Sequence, residues 1–133
     1  MVANKSVDRM LAAGLGGSIV NTASILGIRA SFAQTGYCAS KVGVIHMTKV
    51  LALEWAQKNI RVNALCPGYF LTEMTEGYIK TPASQAFISF SVPGRLGDIN
   101  ELTAPFLLLA IDAGAFVNGV ALSVDGAMSV GNL

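Results

Sequence analysis

Two short β-branched runs flank a long stretch that contains no proline. "SIVNTAS" occupies residues 18–24 and "IRVNALCPG" residues 60–68. Each run is rich in Val, Ile and Asn-bounded turns and reads as a strand, the second stopped by Pro67-Gly68. Between them, from Thr35 to about Lys58, Val42, Ile45, Lys49 and Ala52 recur at spacings of three and four, the signature of a helix. A strand, a helix and a second near-continuous apolar strand build a parallel pair covered by helices.

The rest of the chain continues this alternation. Residues 4–13 read as the end of an amphipathic helix, which "GLGG" breaks. "LTEMTEGYI" suits a short helix, and 80–97 read as loop because Pro82, Pro93, Gly94 and Gly97 interrupt them. Asp98 caps a helix over 99–111, with Glu101 at the capping-box position and Pro105 kinking or interrupting it. "GVALSVDG" at 119–126 is a third strand. One α/β domain of about three parallel strands over residues 1–133 is expected, with no internal repeat or linker.

Composition sharpens the picture. Charged residues are 13% of the 133, about half the usual share, and hydrophobic residues are 53%. Mean hydropathy is +0.56. A domain this small has much surface for its volume and should be more polar than average. Some apolar surface is therefore expected to meet another chain or a further part of its own fold. The net charge of +1 points to neither a nucleic acid nor a membrane surface. The longest apolar run, 104–111, is too short for a bilayer. The N-terminus lacks the apolar stretch of a signal peptide. Two cysteines, Cys38 and Cys66, and a single histidine make neither a disulfide framework nor a zinc site. Reduced thiols in the cytoplasm are expected.

The chemistry lies in residues 24–41, "SILGIRASFAQTGYCASK". Tyr37 and Lys41 stand at i and i+4 on the expected helix, on one face, about 6 Å apart along the axis. An ammonium about 4 Å from a phenol stabilises the phenolate by roughly 1 to 4 kcal/mol, which makes tyrosine a usable acid-base. Ser24 ends a strand at the sheet edge where ligands bind in such folds. Its hydroxyl could hold a carbonyl oxygen as charge develops on it. Taken alone, the Tyr37–Lys41 pair suits an exposed neighbour pair better than a catalytic one. Its context separates the two.

That context resembles the short-chain dehydrogenase/reductase superfamily. "GSIVNTAS" is similar to its serine strand, and "YCASK" fits its Tyr-x-x-x-Lys signature, thirteen residues beyond Ser24. "IRVNALCPGYFLTEM" resembles the following strand and its Pro-Gly-x-x-x-Thr turn, and "VPGRLGDINEL" and "GVALSVDGA" resemble the family's C-terminal end. The resemblance runs in order along nearly the whole chain. Its Tyr–Lys spacing favours a compact 3-oxoacyl reductase or sugar alcohol dehydrogenase over the enoyl reductase branch.

The resemblance implies a Rossmann-like doubly wound parallel sheet and hydride transfer between NAD or NADP and a carbonyl or alcohol substrate. It implies Tyr37 as acid-base and a contact to the cofactor, Lys41 as the group that activates it and holds the nicotinamide ribose, and Ser24 as a binder of the substrate oxygen. Pro67, Gly68, the Phe70 backbone and Thr72 would line the nicotinamide and pyrophosphate side. Gln34 and residues 73–92 would face substrate, although a plain surface loop fits 73–92 nearly as well. The helix after Tyr37 would pair with its copy in a dimer or tetramer. Asn63 is structural in this pattern, His46 a solvated or packed residue, and Asp125 a turn residue.

The sequence also departs from the family. The glycine-rich loop after a first strand is absent, since "GLGG" at 14–17 precedes a strand instead of following one. The residue that selects the adenosine ribose is absent too, and Asn4 is too near Ser24 to be the family's catalytic asparagine. The chain reads as the C-terminal half of such an enzyme, with the N-terminal half missing. Two readings stay open beside catalysis: a fragment acting only by association with other chains, or a chain read from a start downstream of the true one.

Overall fold

The computed structural model describes residues 2–131, with the side chains of residues 2–4, Met74 and Tyr78 outside the description. Asn4 thus lies on a described helix, with its side chain outside the description.

Strands β1 (Gly17–Thr22), β2 (Ile60–Pro67) and β3 (Ala121–Val124) form one parallel sheet in the order β1-β2-β3. Gly17 pairs with Ile60 and Thr22 with Leu65; Ala64 pairs with Ala121 and Pro67 with Val124. All three strands therefore end on the same edge of the sheet.

β2 shows why both faces must be covered. Its residues Ile60, Val62, Ala64 and Cys66 alternate onto one face and are fully buried. Helices α1 (Val2–Ala12) and α2 (Thr35–Trp55) cover that face through Val7, Leu51, Ala52 and Trp55. α1 lies so close that a Cβ on Gly17 would come within 2.3 Å of the Met10 sulfur. On the opposite face Arg61 donates to the carbonyls of Leu109 (2.8 Å) and Ile111 (3.1 Å), and Ser18 Oγ donates to that of Leu109 (2.7 Å). They close the C-terminal end of α5 (Thr103–Ala110), where a cation suits the helix dipole.

Several expectations shift. The sequence pattern extends the first strand to Ser24, but β1 ends at Thr22. The stripe that α2 buries is Ile45, Thr48, Leu51, Ala52 and Trp55; Val42 and Lys49 face outward. α2 carries apolar residues on all sides, so a three-and-four spacing can be phased in more than one way. Residues 80–97 are not all loop. A 3₁₀ turn over Tyr78–Lys80 follows α3 (Glu73–Glu76), and α4 then spans Pro82–Phe90. Thr81 caps α4, accepting from Ser84 N at 3.2 Å, and Pro82 stands at the first helical position, where it lacks no needed hydrogen bond. The expected helix over 99–111 divides into a 3₁₀ turn, Ile99–Leu102, and α5. The Asp98–Glu101 capping box is present, and Pro105 sits in the first turn of α5, where it is tolerated.

Glu101 does more than cap. Arg95 grips its carboxylate with two hydrogen bonds of 2.8 and 2.7 Å. That bond first, and the Asp98 N–H second, hold the Glu101 carboxyl down at about 2. A carboxyl lowered on folding stabilises the fold above its unfolded value and loses that contribution as pH falls through the folded one. Glu101→Gln should therefore flatten the acid limb of the stability profile between about pH 4.5 and 2, as followed by circular dichroism. An acid limb identical to the parent's would refute the assignment. The pair is solvent-exposed, so the effect is small.

Much apolar surface remains open. Phe32, Leu53, Phe90 and Phe116 are all more than 80% exposed. Among the described residues no strand pairs with the outer edge of β1.

Candidate active site

The ladder between β1 and β2 continues one step past β1, where Ala23 N donates to Leu65 O at 2.8 Å. Ser24 follows in extended conformation and caps a 3₁₀ turn over Ile25–Gly27. Its Oγ accepts from Leu26 N at 3.1 Å, which leaves the hydroxyl proton free to donate. Gly27 presses this turn onto α2, for a Cβ there would lie 2.8 Å from the Lys41 carbonyl.

Tyr37 is the third residue of α2 and half exposed. The N–H groups of a helix's first turn lack internal partners, and the helix dipole places positive potential there. Lys41 stands one turn further on. Its Nζ donates to Thr22 O, the last residue of β1, at 3.1 Å, and lies 5.5 Å from the Tyr37 ring centroid. One N–H is thus spent on the strand end, and the other two have no partner among the described residues. The lysine joins Tyr37 to the end of β1, and Ser24 stands two residues beyond that end.

Gln34 is the N-cap of α2 and exposed, and its side chain makes no capping hydrogen bond. Cys66 is fully buried beside Ser24. Burial pushes its thiol up, a hydrogen bond from the Ser24 backbone N–H pulls it down, and the Asp125 carboxylate and Lys41 ammonium act more weakly in opposite senses.

The remaining site candidates have internal duties. Pro67 closes β2. Gly68 is required because a Cβ would come within 2.7 Å of Asp125 Cβ. The Phe70 carbonyl accepts from Thr75 Oγ1 at 3.0 Å, and Thr72 Oγ1 accepts from Thr75 N at 3.3 Å to cap α3. Residues 73–92 fold as α3, the turn after it and α4, with Phe87 edge-on to Tyr69. A cleft of about 150 Å³ opens among Phe70, Arg95, Asp125 and Met128, but Ser24, Tyr37 and Lys41 do not line it. Tyr37 is half exposed, whereas Ser24 is buried, at 8% exposure.

The structural assignments agree with the sequence. Asn63 Nδ2 donates to Val117 O (2.9 Å) and its Oδ1 accepts from Val120 N (3.1 Å). Asp125 accepts from Ala127 N and Ser129 N. His46 is exposed. Sequence reasoning overlooked Arg29, although it is the only charged residue between Ser24 and Lys41.

A parallel sheet covered on both faces, with a Tyr–Lys pair at the C-terminal edge of its strands, has the architecture of half a Rossmann-type fold. The chain belongs to the short-chain dehydrogenase/reductase superfamily. The family described as enoyl-(acyl carrier protein) reductase matches residues 1–129. The chain is 43% identical to the 3-oxoacyl-(acyl carrier protein) reductase of Thermotoga maritima, over 86% of this chain and 46% of that protein. It is 38% identical to the 2-dehydro-3-deoxy-D-gluconate 5-dehydrogenase of Escherichia coli, over 91% and 48%. Among solved structures, a gluconate 5-dehydrogenase from Burkholderia cenocepacia in complex with NADP and tartrate superposes with a TM-score of 0.89 at 32% identity, over 98% of this chain and 51% of the other. A 4-hydroxyisoleucine dehydrogenase complexed with NADH gives 0.92 at 31%, over 98% and 54%. The chain spans about half the length of the relatives it matches.

The residues present fit one end of a nicotinamide dinucleotide. Lys41 offers two unspent N–H groups beside a half-exposed tyrosine, which suits a ribose hydroxyl. The pyrophosphate end is not furnished: among the described residues no strand leads through a glycine-rich turn into a helix.

Proposed function

We propose that this chain carries the proton-transfer half of an NAD(P)-dependent oxidoreductase acting on a small carbonyl or alcohol. The observation that supports this most is the placement of Lys41 between the Thr22 carbonyl and the Tyr37 ring. A bound NAD or NADP supplies hydride exchange. Ser24 donates its hydroxyl proton to the substrate oxygen and holds it near the end of β1. Tyr37 gives its phenolic proton to that oxygen in reduction and takes it back in oxidation. Lys41 and the N-terminus of α2 stabilise the phenolate left behind. Gln34, at the helix start, contacts substrate. Pro67, Gly68, the Phe70 backbone and Thr72 bound the nicotinamide from the neighbouring strand end. Thr72 contributes as a fixed helix cap, since its hydroxyl is already engaged.

The test is a chimera in which this chain replaces the matched half of the Thermotoga reductase. The chimera should oxidise NADPH in the presence of a 3-oxoacyl thioester or a keto-sugar acid. A folded chimera that binds NADPH and turns over neither would overturn the reading.

The fold also favours association. Val42, Val50 and Leu53 stand exposed on α2, Leu53 at 82%. In this reading α2 pairs with its own copy. Leu53→Asp should shift the sedimentation coefficient from that of an oligomer to that of the monomer. An unchanged distribution would exclude α2 as the interface. No helix of the described residues is long and apolar enough to cross a membrane. The free thiols Cys38 and Cys66 suit the reducing cytoplasm, where we place the protein.

A further inference from the structure

Residues 25–34 connect Ser24 to the start of α2 with only a single 3₁₀ turn of regular structure. A connection of that kind keeps its shape only if something outside it holds it. The C-terminal segment does so. Ile25 and Leu26 are buried against Met128, with Cys38 and Tyr69 packed on the same cluster. Arg29 Nη1 donates to the carbonyls of Met128 (2.5 Å) and Gly131 (3.2 Å), about a hundred residues away in sequence.

The segment it grips is one compact coil. Asp125 closes the start, accepting from Ala127 N at 3.1 Å and Ser129 N at 2.7 Å. Val130 N and Gly131 N both donate to Ala127 O. Arg29 then takes carbonyls at the end of the coil, so an anion begins it and a cation finishes it, as the dipole of a helical turn favours. The other flank of the coil rests on the end of the α4 region. A Cβ on Gly131 would come within 2.2 Å of Val92 Cγ2, and one on Gly126 within 3.0 Å of Pro93 Cβ. The coil therefore lies between the turn after Ser24 and the segment proposed to face substrate.

Arg29 accepts a cost in this position. Its Nε is buried with no hydrogen-bond partner among the described residues. A desolvated donor of this kind is disfavoured unless the side chain's other bonds outweigh it.

We propose that Arg29 is a positioning residue, a clamp that fixes the Ser24–Tyr37 connection to coil 125–131 and so holds the serine and the start of α2 in register. The catalytic consequence rests on the function proposed above; the clamp itself does not.

The chain carries two thiols that can read the clamp without any activity assay. Cys38 is partly buried against the clamped cluster, and Cys66 is fully buried in the sheet core. Native protein is labelled with 5,5′-dithiobis(2-nitrobenzoate) and the two sites are resolved by peptide mass. Arg29→Ala should label Cys38 at least tenfold faster with the Cys66 rate unchanged. Arg29→Lys, which keeps a cation but not the planar fork, should fall between the two. It also serves if the alanine variant does not fold. Unchanged Cys38 labelling overturns the clamp. So does parallel acceleration of both thiols, which would mark a loss of global stability instead of a local release. In the chimera, Arg29→Ala should lower kcat about tenfold, with partial rescue by lysine. If Tyr37 proves dispensable, the labelling result still stands, and if the labelling fails, the role of Tyr37 is untouched.

Discussion

Tyr37→Phe in the chimera should lower kcat by about 10²–10⁴-fold and leave NADPH binding nearly unchanged. A positioned acid-base contributes about that much to a proton transfer, equivalent to roughly 3–5.5 kcal/mol of barrier. The substitution removes one oxygen and keeps the ring that Lys41 faces at 5.5 Å. α2 is undisturbed, because Tyr37 is half exposed and its backbone carbonyl, which accepts from Ser40 Oγ at 2.7 Å, is retained. Lys41→Met should be damaging in a different way. It removes the ammonium that stabilises the phenolate, and also the bond to Thr22 O that ties α2 to the end of β1. A loss of NADPH affinity should therefore accompany the loss of kcat in the lysine variant and not in the tyrosine variant. Near-parental turnover by Tyr37→Phe would remove the proton-transfer role, whatever the fold.

What could be read ahead of the structure depended on how local its cause was. The placement of Tyr37 and Lys41 on one helix turn and of Ser24 just past a strand end was legible because it is a matter of local spacing. The strands were legible because Ile60, Val62, Ala64 and Cys66 supply the buried face of β2 in plain alternation. α4 was hidden by its own start signal: Pro82 reads as a breaker until Thr81 is recognised as a cap. The buried stripe of α2 was phased partly wrong. Lys49 shares the sequence spacing of Ile45 and Ala52 but points to solvent, while Thr48 is the residue buried, bonded to Val44 O and accepting from Asn21 Nδ2. Gly68 carries two readings. Its place in the Pro-Gly turn suggests a cofactor contact, and the approach of Asp125 is a second, internal reason why no side chain fits. Arg29 could not be found by periodicity at all, since the carbonyls it grips belong to the opposite end of the chain.

Asn63→Leu should be the most damaging substitution for the fold itself, at about 1–3 kcal/mol. It leaves the half-buried Val120 N–H without its partner and Val117 O with only the longer bond from Arg61 Nη1 (3.3 Å), and an unsatisfied polar group away from water costs about that much. Asn63 is fully buried in β2, and its amide donates to Val117 O while accepting from Val120 N. It therefore organises the entry to β3, helped by Asn118, whose Oδ1 accepts from Val62 N at 2.8 Å. Leucine matches the volume but bonds neither group, so that Val120 N loses its acceptor and Val117 O keeps only Arg61. Asn63→Asp keeps an acceptor for Val120 N, yet it loses the donor to Val117 O and buries a charge, so it should be no milder. Urea denaturation followed by the fluorescence of Trp55, buried on the sheet face that α2 covers, reports the loss directly. A large fall in midpoint with a constant m-value supports a structural asparagine. An unchanged midpoint would show that the bonds to the β3 entry contribute little. If the chimera then also lost its turnover, the asparagine would have to be moved from the frame of the sheet to its chemistry.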